Sequence, residues 1–155
     1  MSKKRTQIAG VLFLLYALLM LWLLFGQRMG QTSSATYWQR LLTNLNLQPM
    51  DTLWRFWWVL QHSEKPAEIR HAVVNLAGNV VMFLPLGYLT PCIWGKVQKF
   101  RWHFLYMVLI ILAIEVLQLV TLLGSFDVDD LILNLVGTTV GFVFWKLFSG
   151  VRKAG

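Results

Sequence analysis

Four long apolar runs dominate the hydrophobic pattern of the chain. They cover about residues 8–25, 72–94, 102–123 and 131–148. Each is close to the roughly 20 residues that a helix needs to cross about 30 Å of hydrocarbon. Helices satisfy their own backbone hydrogen bonds, and the apolar positions do not alternate as they would in a strand. We therefore expect an all-α integral membrane protein, a four-helix transmembrane bundle forming a single domain over residues 1–155.

The segment between the first two runs, residues 27–71, has a different pattern. Apolar positions recur at helical spacing over residues 37–45, and a Trp-rich apolar run follows over residues 53–60. Neither stretch is long enough to span, and Trp favours the membrane–water boundary. The pattern predicts one or two amphipathic helices lying at the interface, with a break over residues 46–49 because Pro49 disfavours helix at the residue before it.

The composition supports a membrane protein. Apolar residues make up 57% of the chain and charged residues only 14%, about half the charged fraction of a soluble domain. This composition excludes an ordinary cytosolic enzyme and a disordered tail. The single cysteine, Cys92, excludes an internal disulfide.

The distribution of the charged residues, rather than the net charge of +7, predicts how the chain is oriented in the membrane, because Lys and Arg are concentrated in particular loops. The connection between the third and fourth runs contains Asp127, Asp129 and Asp130 but no Lys or Arg. The positive-inside rule then predicts a multi-pass protein of the cell membrane with both termini cytoplasmic and the acidic turn outside. A nucleic-acid partner is not expected. The cytoplasmic cations would be Lys3, Lys4, Arg5, Lys96, Lys99, Arg101, Lys146, Arg152 and Lys153.

Polar side chains inside the apolar runs are few, and an ionisable group at the bilayer centre costs about 2.5–3.5 kcal/mol. They fall on one helix face in each of three runs and at a similar depth on the outer side. We expect them to form a polar, largely acidic ligand-binding pocket. The candidate residues are Asn75, Asn79, Glu115, Gln118, Asp127, Asp130 and Asn134.

Two other roles stay open for these side chains. The amides could be interhelical hydrogen-bond donors, and the Asp residues could cap a helix N-terminus. A divalent cation, Mg²⁺ or Ca²⁺, is a further possible ligand, because its preferred hard oxygen ligands are present in Glu115, Asp127 and Asp130.

Small residues are expected to let neighbouring helices approach closely. They are Gly78 and the pair formed by Gly137 and Gly141.

The polar residues of the last three runs belong to three sequence motifs. They are Asn75-Leu-Ala-Gly-Asn79 with Phe83-Leu-Pro85-Leu-Gly87, Glu115-x-x-Gln118, and Asp127-x-Asp129-Asp130-x-x-x-Asn134-x-x-Gly137. Together these motifs resemble those of VanZ-like membrane proteins, over about residues 44–148. The resemblance also leads us to expect an Arg shortly before the first Asp, and Gly124 and Ser125 occupy that stretch here.

The resemblance implies a role in the bacterial cell envelope and an association with teicoplanin resistance. The expected function is binding of a membrane lipid headgroup, a lipid-linked peptidoglycan precursor or a lipoglycopeptide in the outer pocket. One alternative is a metal-dependent membrane enzyme acting on a lipid-linked substrate, although the sequence shows no nucleophile–base arrangement. The other is a proton-coupled transporter with Glu115 as its titrating group.

Overall fold

The computed structural model describes residues 3–26 and 34–151, and these are almost entirely helical. The predicted all-α class is confirmed. A short 3-10 turn, Gly95–Gln98, joins the fourth helix to the fifth. The helices are α1 (Lys3–Phe25), α2 (Tyr37–Thr43), α3 (Asp51–His62), α4 (Pro66–Ile93), α5 (Phe100–Thr121) and α6 (Val128–Val151). Expectations for residues 27–33, Arg152 and Lys153, and for the side chain of Arg5, lie outside the described part of the chain.

Four of the helices are long and apolar enough to cross a membrane, which confirms the four predicted spans and a multi-pass membrane protein. They are Thr6–Phe25, Pro66–Ile93, Phe100–Thr121 and Val128–Ser149. The second begins earlier than the predicted residue 72. Proline is well tolerated at the first helical position, where its missing N–H would have no intrahelical partner.

The backbones of α4 and α6 are in direct contact. A Cβ atom placed on Gly137 would collide with the carbonyl oxygen of Val80, and one on Gly141 with that of Leu84. The predicted small-residue packing motif is therefore confirmed for this pair. The expectation for Gly78 is wrong, since a Cβ there would meet nothing within 4 Å.

The apolar core lies where α1 and α5 pack against the α4–α6 pair. Phe83, Met107 and Ile111 are almost completely buried at its centre. The hydroxyl of Tyr16 donates to the carbonyl oxygen of Met82 at 2.7 Å and so ties α1 to α4. Many other apolar side chains of the spans are exposed, as expected for surfaces that face lipid.

Between α1 and α4 the described residues form two short helices, α2 and α3, as the Trp-rich pattern predicts. The break between them contains a feature that was not predicted. Leu45 and Asn46 pair in parallel with Phe126 and Asp127, just before α6. This two-residue ladder joins the segment that contains α2 and α3 to the acidic turn.

Candidate functional site

Asp127 is the residue before α6, and its carboxylate has three partners, of which the hydroxyl of Thr52 is the most distant at 3.5 Å. Oδ1 accepts a hydrogen bond from the backbone N–H of Asp129 at 2.8 Å, the usual contact of a helix N-cap. Oδ2 accepts one from the side-chain amide of Asn46 at 3.0 Å. Asp127 thus caps α6 and also anchors the short ladder beside it.

Asp129 caps a different helix from the one that contains it. The side chain is only 1% exposed. Its two oxygens accept the backbone N–H groups of Met50 and Thr52 at 2.6 and 2.7 Å, at the N-terminus of α3. A carboxylate there satisfies otherwise unpaired amides and complements the helix dipole. Asp129 was not among the predicted pocket residues, and no local pattern in the sequence links it to α3.

Asp130 connects α6 to α4. Its Oδ1 accepts a hydrogen bond from the side-chain amide of Asn79 at 2.5 Å. An acceptor that carries a full charge strengthens such a bond relative to a neutral pair. The contact fixes the N-terminal half of α4 against the first turn of α6.

Glu115 connects α5 to α6 and is 3% exposed. Its oxygens accept from the side-chain amide of Asn134 and from the backbone N–H of Asp127, both at 3.4 Å. The Oδ1 atom of Asn134 is buried and has no hydrogen-bond partner in the described structure. We call the set formed by Asn79, Glu115, Asp127, Asp129, Asp130 and Asn134 the acidic cluster.

Two predicted site residues differ from the other five in their surroundings. Gln118 donates to the carbonyl oxygen of Leu24 at 3.3 Å, so it connects α5 to the end of α1. Asn75 is exposed although it shares a face of α4 with Asn79. The other five, Asn79, Glu115, Asp127, Asp130 and Asn134, form hydrogen bonds around the start of α6.

Asn75 instead lines an open groove of about 280 Å³ between α3 and α4. The groove combines polar and apolar walls, and Thr52 connects it to the acidic cluster through its backbone contact with Asp129. Neither Arg55 nor His71 was among the candidate residues predicted from the sequence. The lining residues of this α3–α4 groove are Thr52, Arg55, Phe56, Val59, Glu68, His71, Ala72 and Asn75.

The groove also contains a cationic side chain, which the pocket predicted from the sequence lacks. The predicted spans over residues 72–94, 102–123 and 131–148 contain no Lys or Arg near the candidate pocket, and the stretch before Asp127 lacks the expected Arg. Arg55 reaches the groove from α3 and pairs with Asp51 at 2.5 Å while remaining 69% exposed. An exposed pair of this kind contributes little to stability, and it occupies only part of the five-donor guanidinium group.

The carboxylates of the acidic cluster are directed at N–H donors of the chain itself. Within residues 3–26 and 34–151, no group of three or more His, Cys, Asp or Glu side chains is arranged to hold a metal ion. The Mg²⁺ or Ca²⁺ ligands expected at Glu115, Asp127 and Asp130 stay a prediction. The observed contacts give these residues a structural role, since they join α3, α4 and α5 to α6.

The fold and this arrangement define a class: a multi-pass helical membrane protein with a buried acidic cluster and an open amphipathic groove at one end. The family model VanZ/LLP1 matches residues 13–149, nearly the whole chain. The chain therefore belongs to the VanZ-like family, and the match includes most of α1, which the motifs alone did not cover. No curated protein and no solved structure matches it.

Proposed function

We propose that this VanZ-like protein binds a phosphate-bearing, lipid-linked molecule of the bacterial cell envelope in the α3–α4 groove, at the outer leaflet. The observation that supports this most directly is the lining of the groove, which includes Arg55 from α3 and Asn75 from α4. A ligand with a charged head and an apolar tail fits such a surface better than a wholly polar one.

The polar wall suits a phosphate or pyrophosphate group. A guanidinium group binds phosphate with two parallel N–H donors, which gives both affinity and orientation. Asn75 and Thr52 can add neutral hydrogen bonds, and His71 can donate from its ring. We expect Arg55 to exchange its exposed ion pair with Asp51 for the more highly charged phosphate.

The apolar wall suits the lipid part of the same molecule. Phe56, Val59 and Ala72 line the groove, and the exposed Trp54, Trp57 and Trp58 lie on the same short helix. Tryptophan is favoured at the depth of the headgroups. The groove would thus hold a headgroup and the first part of its lipid chain at the membrane boundary.

The binding experiment uses purified protein in detergent and native mass spectrometry with a polyprenyl phosphate, with the matching uncharged polyprenol as reference. We expect the phosphate to bind more tightly, and we expect Arg55→Gln to weaken it about tenfold or more, since a hydrogen bond to a charged group contributes about 1.5–3 kcal/mol. Arg70→Gln is the matched control, because Arg70 is an exposed cation of α4 outside the groove.

Equal binding of phosphate and polyprenol would contradict the proposal. An equal loss in Arg55→Gln and Arg70→Gln would contradict it as well, because that result indicates a diffuse charge effect. Asn75→Leu tests the facing wall, and we expect it to weaken binding without lowering thermal stability, since Asn75 is exposed.

We further propose that occupancy of this groove connects the protein to glycopeptide resistance. The support is the family to which the chain belongs. A protein that holds a lipid-linked precursor at the outer leaflet would reduce its capture by teicoplanin. Expression in a susceptible Gram-positive host should raise the inhibitory concentration of teicoplanin, and Arg55→Gln should remove the increase. Full protection by Arg55→Gln would separate resistance from the groove.

A further inference from the structure

A second cleft lies at the opposite end of the bundle from the acidic cluster. It measures about 380 Å³ and is formed by the 3-10 turn after α4 and the first two turns of α5. We call it the basic cleft. It is lined by Gly95, Lys96, Lys99, Trp102 and Tyr106.

The turn that forms the basic cleft is held in place by contacts with the neighbouring helices. Val97 is buried, and the side-chain amide of Gln98 donates to the carbonyl oxygen of Pro91 at 3.1 Å. Next to the turn, Trp94 packs edge-on against Phe13 of α1 with ring centroids 5.3 Å apart. The cleft is therefore a preformed feature of the packed helices.

The electrostatics of the basic cleft favour an anion. Lys96 and Lys99 are exposed. The ion pairs of the described residues, Arg55 with Asp51 and Lys65 with Glu68, lie at the other end of the bundle. All seven Asp and Glu residues of the chain belong to that other end as well. No carboxylate side chain competes for the two lysines.

The start of α5 adds to this positive potential. Lys99 is the N-cap residue of α5, and no side chain caps the helix there. The first amide N–H groups of a helix and the positive end of its dipole attract anions, phosphate groups in particular. The lysine side chains and the helix end thus reinforce each other at one place.

The remaining walls of the basic cleft are aromatic. Trp102 and Tyr106 are four residues apart, so they share a face of α5, and they are 41% and 42% exposed. The guanidinium carbon of Arg101 lies 5.6 Å from the centroid of the Trp102 ring, a cation–π distance. Amphipathic aromatic rings of this kind are typical of the headgroup region.

We propose that the basic cleft binds the headgroup of an anionic phospholipid from the leaflet at that end of the protein. The two lysines and the start of α5 contact the phosphate, and the faces of Trp102 and Tyr106 contact the glycerol backbone and the first part of the acyl chains. The charge of the lysines selects phosphatidylglycerol over phosphatidylcholine. This site is independent of the α3–α4 groove.

The test uses the full chain in nanodiscs that contain phosphatidylglycerol and phosphatidylcholine, with the lipids retained after extraction counted by native mass spectrometry. We expect the double variant, Lys96→Gln together with Lys99→Gln, to bind phosphatidylglycerol roughly 10- to 30-fold more weakly. Each basic residue near an anionic surface contributes about 1 kcal/mol. Lys3→Gln with Lys4→Gln is the matched control, because it removes the same charge from the same end, outside the cleft.

Three results would overturn the proposal. One is unchanged phosphatidylglycerol retention in the cleft variant, and another is an equal loss in the control variant, which would show a diffuse attraction. The third is binding of soluble glycerol phosphate as tight as that of the lipid, which would exclude a role for the aromatic walls. Trp102→Ala keeps both lysines, and we expect it to weaken the lipid but leave glycerol phosphate binding unchanged.

Discussion

Three carboxylates within four residues carry out three different tasks. Asp127 caps its own helix, Asp129 caps α3, and Asp130 binds Asn79 of α4. Their spacing along the first turn of α6 directs them to different neighbours. A motif that resembles a ligand site in the sequence is therefore also the junction at which three parts of the chain meet.

Replacement of Asp129 by Asn should destabilise the protein clearly, although the two side chains have nearly the same size and shape. One of the two oxygens that accept α3 amides becomes an NH₂ group, which leaves a buried donor unpaired at a cost of about 1–3 kcal/mol. We expect a clear fall in the midpoint of thermal unfolding in detergent. Asp51→Asn is the control, since its exposed ion pair contributes about 1 kcal/mol or less. Equal midpoints for the two variants would contradict this account of Asp129.

A second prediction concerns Asn134, whose amide donates to Glu115 while its oxygen has no partner in the described structure. Asn134→Leu leaves the carboxyl of Glu115 without this donor, and we expect a loss of stability of about 1–3 kcal/mol. The double variant with Glu115→Leu should lose less stability than the sum of the two single losses, because both partners of this hydrogen bond are then removed. Strictly additive losses would show that the two residues do not interact.

Among the secondary-structure elements, the long ones were predictable from the sequence and the junctions between them were not. Apolar runs of about twenty residues fix the spans, and Pro49 marks the break between α2 and α3. The ladder of Leu45 with Phe126 joins residues far apart in the chain, and each strand is too short to show a periodicity. The position of Arg55 in a groove depends on how α3 lies against α4, which no local pattern encodes.

The contact between α4 and α6 gives a prediction with an internal control. Gly137→Ala places a methyl group against the carbonyl of Val80, so the helices must separate, and overpacking of this kind typically costs 1–3 kcal/mol. Gly78→Ala meets no atom within 4 Å and should be neutral or stabilising by up to about 1 kcal/mol. Detergent unfolding followed by circular dichroism measures both. Similar stability of the two variants would argue against the close contact.

Across the whole molecule, the carboxylates are confined to one end of the bundle, whereas the cations lie at both ends. The carboxylates lie at the end that contains the acidic cluster, whereas Lys3, Lys96 and Lys99 lie at the other. The positive-inside rule predicts that the end with these lysines faces the cytoplasm. The proposed outer-leaflet groove depends on that orientation.

Cysteine labelling in intact cells tests the orientation. With Cys92 replaced by Ser, a single cysteine is introduced by Glu64→Cys at the acidic end or by Lys96→Cys at the basic end, and both positions are exposed. We expect a membrane-impermeant maleimide to label the first in intact cells and the second only after permeabilisation. The reverse pattern would place the α3–α4 groove at the cytoplasmic face.

The groove itself is tested most directly by an experimental structure of the protein with a bound polyprenyl phosphate. Our account predicts phosphate density between α3 and α4, with the guanidinium group of Arg55 within about 3 Å of a phosphate oxygen and Asn75 beside it. Phosphate density among Glu115, Asp130 and Asn134, or a lipid head that avoids Arg55 altogether, would contradict it.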